Sequence, residues 1–238
     1  MGKFFIYIRL SLKALLTYPG IETLKAIFKF AGPWYQFNDP AKSVHNERIP
    51  WLCFSAIDRI KKILRRDMIL FEYGSGGSTL FWSSRVRQVV SVEHDRLWYE
   101  KTKTELSGLD ITNVTYILSE AEPDDKFKAK NFKNPADYIS EDGNFTGKKF
   151  ESYAKQIDYF EDQFFDVIIV DGRARPSCIL HALKKVKRNG FIIVDNTDRK
   201  NYLEPFQFNT GEWSRWDFVG PVPYIYDFSK TTILQKKK

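Results

Sequence analysis

A glycine-rich turn directly after an apolar stretch is the feature of this sequence that bears most directly on chemistry. Residues 69–79 read ILFEYGSGGST, so the stretch passes through the acidic Glu72 before it enters the turn. The turn and the residues that follow it are Gly74, Ser75, Gly76, Gly77, Ser78 and Thr79. Glycines let the backbone turn sharply and approach a ligand closely, and hydroxyl side chains can cap a following helix. The pattern predicts a site for a nucleotide-type cofactor.

A second carboxylate stands where a ribose ligand is expected. Residues 88–93 read QVVSVE, a second strand-like run that ends with Glu93, 19 residues after Gly74. At about this spacing a carboxylate at the neighbouring strand tip meets the ribose hydroxyls of a bound nucleotide. The dinucleotide fingerprint would need glycine at position 79, which is Thr79, so the sequence disfavours NAD.

Polar residues also follow the later strand-like runs, at about 113–118, 166–170 and 190–194. They are Ser119 with Glu120, then Asp171, and finally Asp195 with Asn196. Each could by itself be a helix cap. Because ligands collect at the carboxyl ends of parallel strands, all of them together predict one cleft.

The pattern hydrophobic-Glu-x-Gly-x-Gly-Gly resembles motif I of the class I S-adenosylmethionine-dependent methyltransferases, and the resemblance covers roughly residues 50–235. It implies that S-adenosylmethionine is the cofactor, that Glu93 binds its ribose, and that Glu72 lies near its methionine end. The cofactor-binding residues that it implies are Glu72, Gly74, Ser75, Gly76, Gly77, Ser78, Glu93, Ser119, Glu120 and Asp171.

Asp171, Asp195 and Asn196 are in addition similar to the cation ligands of metal-dependent O-methyltransferases of the catechol and caffeoyl-CoA type. Such oxygens could hold a divalent cation that lowers the pKa of a substrate hydroxyl. That family carries a lysine three residues after the first aspartate, and Ala174 stands there in this chain. We therefore favour a metal-free site over a metal site.

In the metal-free hypothesis Asp171, Asp195 or His94 accepts the proton of an acceptor hydroxyl. Arg173 and Arg175 then hold an anionic acceptor, since guanidinium groups bind carboxylates and phosphates. Capping of helices and loops, with arginines as ion-pair partners, is the alternative for both aspartates. His181 lies within a predicted helix and is expected to be structural.

Alternation of strand-like and helix-like runs predicts an α/β fold, a doubly wound, mostly parallel Rossmann-like sheet of about seven strands with an N-terminal helical extension. We place the extension at residues 1–48 and the S-adenosylmethionine-binding domain at residues 49–238. One helix is predicted at about 174–188, ended by Asn189-Gly190. Residues 119–165 are too long for a simple crossover and are predicted to form a lid over the substrate, with a floppy surface insertion as the alternative.

The extension is predicted to contain helical segments at residues 3–16 and 21–30, followed by a loop with Gly32-Pro33-Trp34. The first segment is interrupted by Arg9 and Lys13 and is too short to span a bilayer. Residues 1–30 then either pack on the domain or on a second copy of the chain, or lie peripherally on a membrane with the basic residues at the headgroups.

The charge and the cysteine content of the chain indicate which classes of partner and which compartment it favours. The formal charge is +7, but the basic residues are not concentrated and the chain has no Pro-Pro pair of the kind found in base-modifying signatures, so nucleic acid is disfavoured. Two cysteines in apolar runs, Cys53 and Cys178, predict no disulfide and a cytoplasmic setting, with peripheral contact to the inner face of a membrane as an option.

The expected activity is methyl transfer to an oxygen, or less readily a nitrogen, of a small molecule or glycan precursor. Two alternatives stay open. The same fold could transfer an aminopropyl group or bind another nucleotide, or the chain could be a non-catalytic scaffold whose N-terminal helices recruit a partner.

Overall fold

The structure is a computed structural model that describes residues 2–39, 41–42, 47–208 and 211–237. Its helices are α1 (Lys3–Thr17), α2 (Ile21–Phe37), α3 (Phe54–Ile63), α4 (Gly77–Ser83), α5 (Arg96–Gly108), α6 (Glu151–Ala154) and α7 (Arg175–Lys185). Its strands are β1 (Ile69–Tyr73), β2 (Gln88–Glu93), β3 (Val114–Leu118), β4 (Glu122–Pro123), β5 (Lys148–Lys149), β6 (Phe165–Val170), β7 (Val186–Val194), β8 (Trp213–Pro221) and β9 (Phe228–Lys236). Across these ranges, no helix is long and apolar enough to cross a membrane.

Seven of the strands form one sheet in the order β3-β2-β1-β6-β7-β9-β8. Strands β1, β2, β3, β6 and β7 are parallel, whereas β9 runs antiparallel to both of its neighbours. The predicted Rossmann-like architecture is confirmed. The carboxyl ends of the parallel strands therefore lie along one edge, where the sequence placed its polar residues.

The sheet separates two apolar layers, because successive residues of a strand point to opposite faces. On one face Leu70 and Val167 belong to a cluster with residues of α1 to α4. On the other face Phe71 and Ile168 belong to a cluster with residues of α6 and α7. The strand tips are thus held from both sides by buried side chains.

Helices α1 and α2 contribute to the core of the sheet through Tyr7 and the fully buried Trp34. The loop predicted around Gly32-Pro33-Trp34 is wrong, because α2 continues as a helix to Phe37. Proline and glycine disfavour a helix locally. Packing of the Trp34 ring against Tyr7 and Tyr226 favours it here. The domain boundary at residue 48 stays a prediction, and His45 lies outside the described residues.

One more helix bound predicted from the sequence was wrong. The helix expected at about 174–188 ends at Lys185. Residues 187–190 instead form an irregular part of β7, opposite the step from Phe165 to Val167 in β6. The side chain of Lys187 pairs with Asp166 at 2.9 Å, which holds the chain against β6.

The segment 119–165 packs on the domain. Its strands β4 and β5 pair antiparallel, and Phe150 and Tyr153 are fully buried. His181 of α7 joins two of its parts, since Nε2 lies 3.1 Å from the Tyr138 hydroxyl and Nδ1 lies 2.7 Å from Asp158. A floppy insertion does not describe this segment, and its role as a lid stays a prediction.

Candidate active site

The turn between β1 and α4 requires glycine at two positions. Gly74 has a φ of +87° and Gly76 a φ of +150°, which side chains other than glycine rarely adopt. A Cβ on Gly74 would come within 2.8 Å of the Gly172 Cα, and one on Gly76 would come within 3.0 Å of the Trp98 indole. The turn is therefore closed in by the tip of β6 on one side and by Trp98 on the other.

Glu72 holds the turn from beneath. Its buried carboxylate accepts four hydrogen bonds, each 2.6–2.7 Å long. The donors are the side chains of Ser78, Thr79, Trp82 and Ser91. Burial raises the pKa of Glu72, although these hydrogen bonds oppose the rise. Because these four hydrogen bonds engage its lone pairs, Glu72 can reach a ligand only through Ser78. Its role is therefore to support the turn.

Glu93 joins the turn to the tip of β2. Its Oε2 accepts from the backbone N–H and hydroxyl of Ser75 at 2.9 and 2.8 Å. Its Oε1 accepts from the backbone N–H groups of His94 and Asp95, and His94 Nδ1 lies 2.8 Å from the same oxygen. Burial alone would raise the pKa of Glu93, but the contacts with His94 and with the N–H groups outweigh it and the pKa is lowered. An ionised carboxylate therefore sits beside the glycine turn.

Two aromatic side chains complete this part of the cleft. Tyr116 of β3 hydrogen-bonds to the Ser75 hydroxyl, and Trp98 Nε1 donates to the Ser75 carbonyl at 2.7 Å. No sequence pattern singled out Tyr116. Its position in β3, opposite Ser91 of β2, would have pointed to it once strand pairing was known.

Ser119 and Glu120, which the resemblance assigns to cofactor binding, separate in the structure. The buried Ser119 donates its backbone N–H to the Glu93 carbonyl at 2.7 Å. Glu120 lies at the surface and pairs with Arg96. The segment after β3 thus adjoins the cleft through Ser119, while the Glu120 carboxylate is engaged outside it.

Arg175, at the start of α7, ties the tips of β6 and β7 together. Its guanidinium is buried and makes five hydrogen bonds, which engage all five of its N–H donors. Two acceptors are side-chain oxygens, Asp171 Oδ1 at 3.0 Å and Asn196 Oδ1 at 3.1 Å. The other three are the backbone carbonyls of Asp171, Gly172 and Asp195. Because no N–H is left for a ligand, the prediction that Arg175 holds an anionic acceptor does not fit the structure.

The same contacts argue against the metal site. The side chains of Asp171 and Asn196 already face the Arg175 guanidinium, and Asp195 Oδ1 accepts the hydroxyl of Thr231. A cation at these oxygens would lie beside a buried positive charge that repels it. The residues therefore do not fit a divalent cation.

The carboxyl groups of Asp171 and Asp195 differ in their exposure to solvent. Burial raises the pKa of both, and Asp195 raises that of Asp171 further, to well above its ordinary value, although Arg175 opposes the rise. The pKa of Asp195 rises from 3.8 to about 6. The Asp171 side chain is 23% exposed, whereas Asp195 is enclosed at 3%. Asp171 is the carboxyl group of this pair that a substrate can reach.

Aromatic residues of segment 119–165 close over His94. The rings of Phe145, Phe150 and Tyr153 lie 5.4–5.9 Å from its imidazole. The Tyr153 hydroxyl is buried without a hydrogen-bond partner among the described residues. It lies so close to Gly172 that a Cβ there would be 1.9 Å away. No sequence pattern singled out Tyr153, because its position against the β6 tip depends on the fold.

A cavity of about 260 Å³ opens between this segment and the tips of β6 and β7. Its polar lining includes Ser140, Asp142, Arg173, Arg175, Arg199 and Asn201. Arg173 pairs with Asp142 through Nη2 at 3.2 Å, but its buried Nε has no partner in the described ranges, and neither has Asn201 Nδ2. Buried donors are nearly always satisfied in native proteins, so these two call for an acceptor from outside the described chain.

No protein-family model and no curated protein matches this chain. Solved structures match its fold. The O-methyltransferase TomG from Streptomyces achromogenes, involved in tomaymycin synthesis and solved with SAM, has a TM-score of 0.56 at 14% identity, with 100% of each chain covered. An O-methyltransferase from Bacillus cereus, solved with SAH, has a TM-score of 0.56 at 14% identity, with 99% of this chain and 100% of that one covered.

A third match is an rRNA methylase from Streptococcus thermophilus, with a TM-score of 0.50 at 14% identity over 80% of this chain and 99% of that one. The structures that this chain resembles thus include methyltransferases for different acceptors. At these identities the matches establish the Rossmann-like fold and no more.

Proposed function

We propose that this chain is an S-adenosylmethionine-dependent methyltransferase that methylates an oxygen of a small molecule or glycan precursor. The observation that carries the proposal is the buried, ionised Glu93, bonded to a glycine turn at the tips of parallel strands. Two solved structures of this fold are O-methyltransferases bound to SAM or SAH, which supports the cofactor.

The chemical groups that line the cleft are suited to S-adenosylmethionine. Glu93 offers an anionic acceptor for ribose hydroxyls, which would take the place of the Ser75 hydroxyl that donates to its Oε2 in this structure. Gly76 leaves the space beside the Trp98 indole that a Cβ would fill, and the Ser119 segment borders Glu93 where an adenine would lie. When bound, S-adenosylmethionine supplies an electrophilic methyl group. The chain's part is to align the acceptor, exclude water and take up its proton.

We assign to Asp171 the role of the general base that takes the proton of the acceptor hydroxyl. A general base works best when its pKa lies near the operating pH, and burial beside Asp195 raises the pKa of Asp171. Its side chain is also the accessible one of the two. Asp195 and Arg175 then act as positioning residues. His94 faces Glu93 within an aromatic shell and is placed to orient that carboxylate.

The polar lining of the cavity next to Gly172 indicates which chemical groups the methyl acceptor carries. The unsatisfied donors of Arg173 and Asn201 favour a ligand with a carboxylate or phosphate, which accepts charge-assisted hydrogen bonds. Arg199 borders the same cavity. We therefore infer a hydroxylated acceptor that carries an anionic group.

Calorimetric binding of S-adenosylhomocysteine tests the cofactor. Glu93→Ala should weaken binding by about 1.5–3 kcal/mol, the value of a hydrogen bond to a charged group. It should also lower the stability, because five contacts lose their acceptor, so binding is measured well below the unfolding temperature. Glu100→Ala removes an exposed carboxylate from α5 and serves as the control. Equal affinity of wild type and a folded Glu93→Ala variant would remove Glu93 from the site.

Release of S-adenosylhomocysteine in a screen of hydroxylated, anionic metabolites tests the reaction. Asp171→Asn should lower turnover about 10²–10⁴-fold, the usual contribution of a general base, with little change in cofactor affinity. A chelator should leave the activity unchanged. Loss of activity on chelation would restore the metal hypothesis, and cofactor binding without turnover on any acceptor would favour the scaffold.

A further inference from the structure

Helix α1 carries a continuous apolar stripe on the side that faces away from the protein. Phe5, Ile8, Leu12 and Leu16 are exposed and follow one another at intervals of three, four and four residues, which places them on one helix face. Leu16 is 84% exposed. The inward face of the same helix is formed by other residues, namely Tyr7, Leu10, Ser11 and Ala14. Packing of α1 on the sheet therefore leaves this stripe uncovered.

Helix α2 repeats the arrangement. Ile21, Leu24 and Phe28 are exposed at the same intervals of three and four, and Phe28 is 75% exposed. The two helices pack against each other and are joined by a short turn, so both stripes belong to one end of the molecule. Contiguous exposed apolar surface of this kind marks an interaction site.

Basic residues border both stripes. Arg9 and Lys13 follow Ile8 and Leu12 on α1, and Lys25 and Lys29 follow Leu24 and Phe28 on α2. Glu22 is the one acidic residue in residues 2–37. Arg9 and Lys13 form no ion pair within the described ranges, whereas Lys25 and Lys29 pair with Glu22 and Asp58 at the surface.

We propose that the outer faces of α1 and α2 bind an anionic lipid bilayer, with the two helices lying flat in the headgroup region. Apolar side chains enter the acyl boundary while lysines and arginines beside them reach the phosphates, the arrangement of interfacial amphipathic helices. Protein interfaces are instead depleted in lysine, which argues against a second copy of the chain as the occupant. This inference does not depend on the proposed methyl transfer.

Co-sedimentation with vesicles tests it, using equal parts phosphatidylglycerol and phosphatidylcholine, or phosphatidylcholine alone. The full-length protein should bind the anionic vesicles at least about tenfold more tightly, and salt should weaken the binding. Leu16→Ser/Phe28→Ser should reduce binding about tenfold or more. Leu109→Ser/Tyr159→Ser, which changes exposed apolar residues elsewhere, should leave it unchanged.

Arg9→Glu/Lys13→Glu provides a second variant that keeps the apolar stripe and reverses two charges. It should bind phosphatidylglycerol vesicles at least tenfold less tightly while retaining the thermal stability of the wild type. No preference of the wild type for anionic vesicles would overturn the proposal. So would a dimer in lipid-free solution that Leu16→Ser/Phe28→Ser converts to a monomer, since the stripes would then cover each other.

Discussion

Four carboxylates stand at the tips of neighbouring strands, and their hydrogen-bond partners differ. Glu72 accepts from four side chains and Glu93 from one side chain and three backbone groups, so both are bound into the turn. Asp195 is enclosed with Thr231. Asp171 has an ion pair with Arg175, and its side chain is partly exposed. This difference in partners singles out Asp171 as the group left for chemistry.

Tyr153→Phe should raise the free energy of unfolding by about 1 kcal/mol, because it removes a buried hydroxyl that has no partner in the described part of the chain. Turnover should fall if that hydroxyl meets the cofactor or acceptor at Gly172. Tyr73→Phe is the matched control, since the Tyr73 hydroxyl donates to the Ala154 carbonyl at 2.6 Å and its loss should destabilise by a similar amount. Urea unfolding of both variants checks the opposite signs. Equal destabilisation by the two would show that Tyr153 has a partner.

Asp195 makes stability depend on pH. A carboxyl group whose pKa rises from 3.8 to about 6 on folding binds its proton more tightly in the folded state. Its contribution to stability therefore falls as the pH rises from about 3.8 to about 6, by up to about 3 kcal/mol. Asp195→Asn retains the acceptor for Thr231 and should be about 1–3 kcal/mol more stable than wild type at pH 7, with the difference vanishing near pH 4.

Unfolding at pH 4, 5.5 and 7 measures this dependence, with Asp125→Asn as the control, since Asp125 is exposed and lies in segment 119–165. A difference between wild type and Asp195→Asn that is equal at all three pH values would mean that folding leaves the pKa of Asp195 unchanged.

At the scale of elements, α1 and α2 have two faces with different tasks. The inner face of α1 packs on Trp34 and Phe228, and Tyr7 donates its hydroxyl to the Ile27 carbonyl at 2.5 Å. The outer face carries the exposed stripe. Neither face contributes a residue to the glycine turn or to the tips of β1, β2 and β6.

Deletion of residues 1–18 should therefore leave cofactor affinity within about threefold of wild type while it weakens vesicle binding about tenfold or more, since only the α2 stripe remains. It should also lower the free energy of unfolding by about 3–6 kcal/mol, because Tyr7, Leu10 and Ala14 lose their burial. Calorimetry on the truncated chain, with circular dichroism to verify folding, measures both effects. Loss of cofactor binding in a folded truncation would show that α1 supports the site.

At the scale of the whole molecule, the sheet gathers groups that are distant in sequence along one edge. The order β3-β2-β1-β6-β7 puts Glu93 and Asp171 on either side of the tip of β1, which leads into the glycine turn. Segment 119–165 then covers this edge through Phe150 and Tyr153. The lipid-binding stripes and the cleft lie on separate parts of the fold, so binding to a surface leaves the strand tips free.

Local sequence patterns were sufficient to predict β1, β2, β3, β6 and β7, the glycine turn and the polar residues at the ends of these strands. They depend on short-range periodicity and on backbone angles that only glycine adopts readily. The path of α2 through Pro33 depends instead on tertiary packing, since Trp34 packs on Tyr226 far along the chain. Tertiary contacts also argue against the metal hypothesis, since the side chains of Asp171 and Asn196 already accept hydrogen bonds from Arg175. All five donors of Arg175 are engaged at the tips of two strands, and such a contact between residues 20 or more positions apart follows from packing that no local pattern contains.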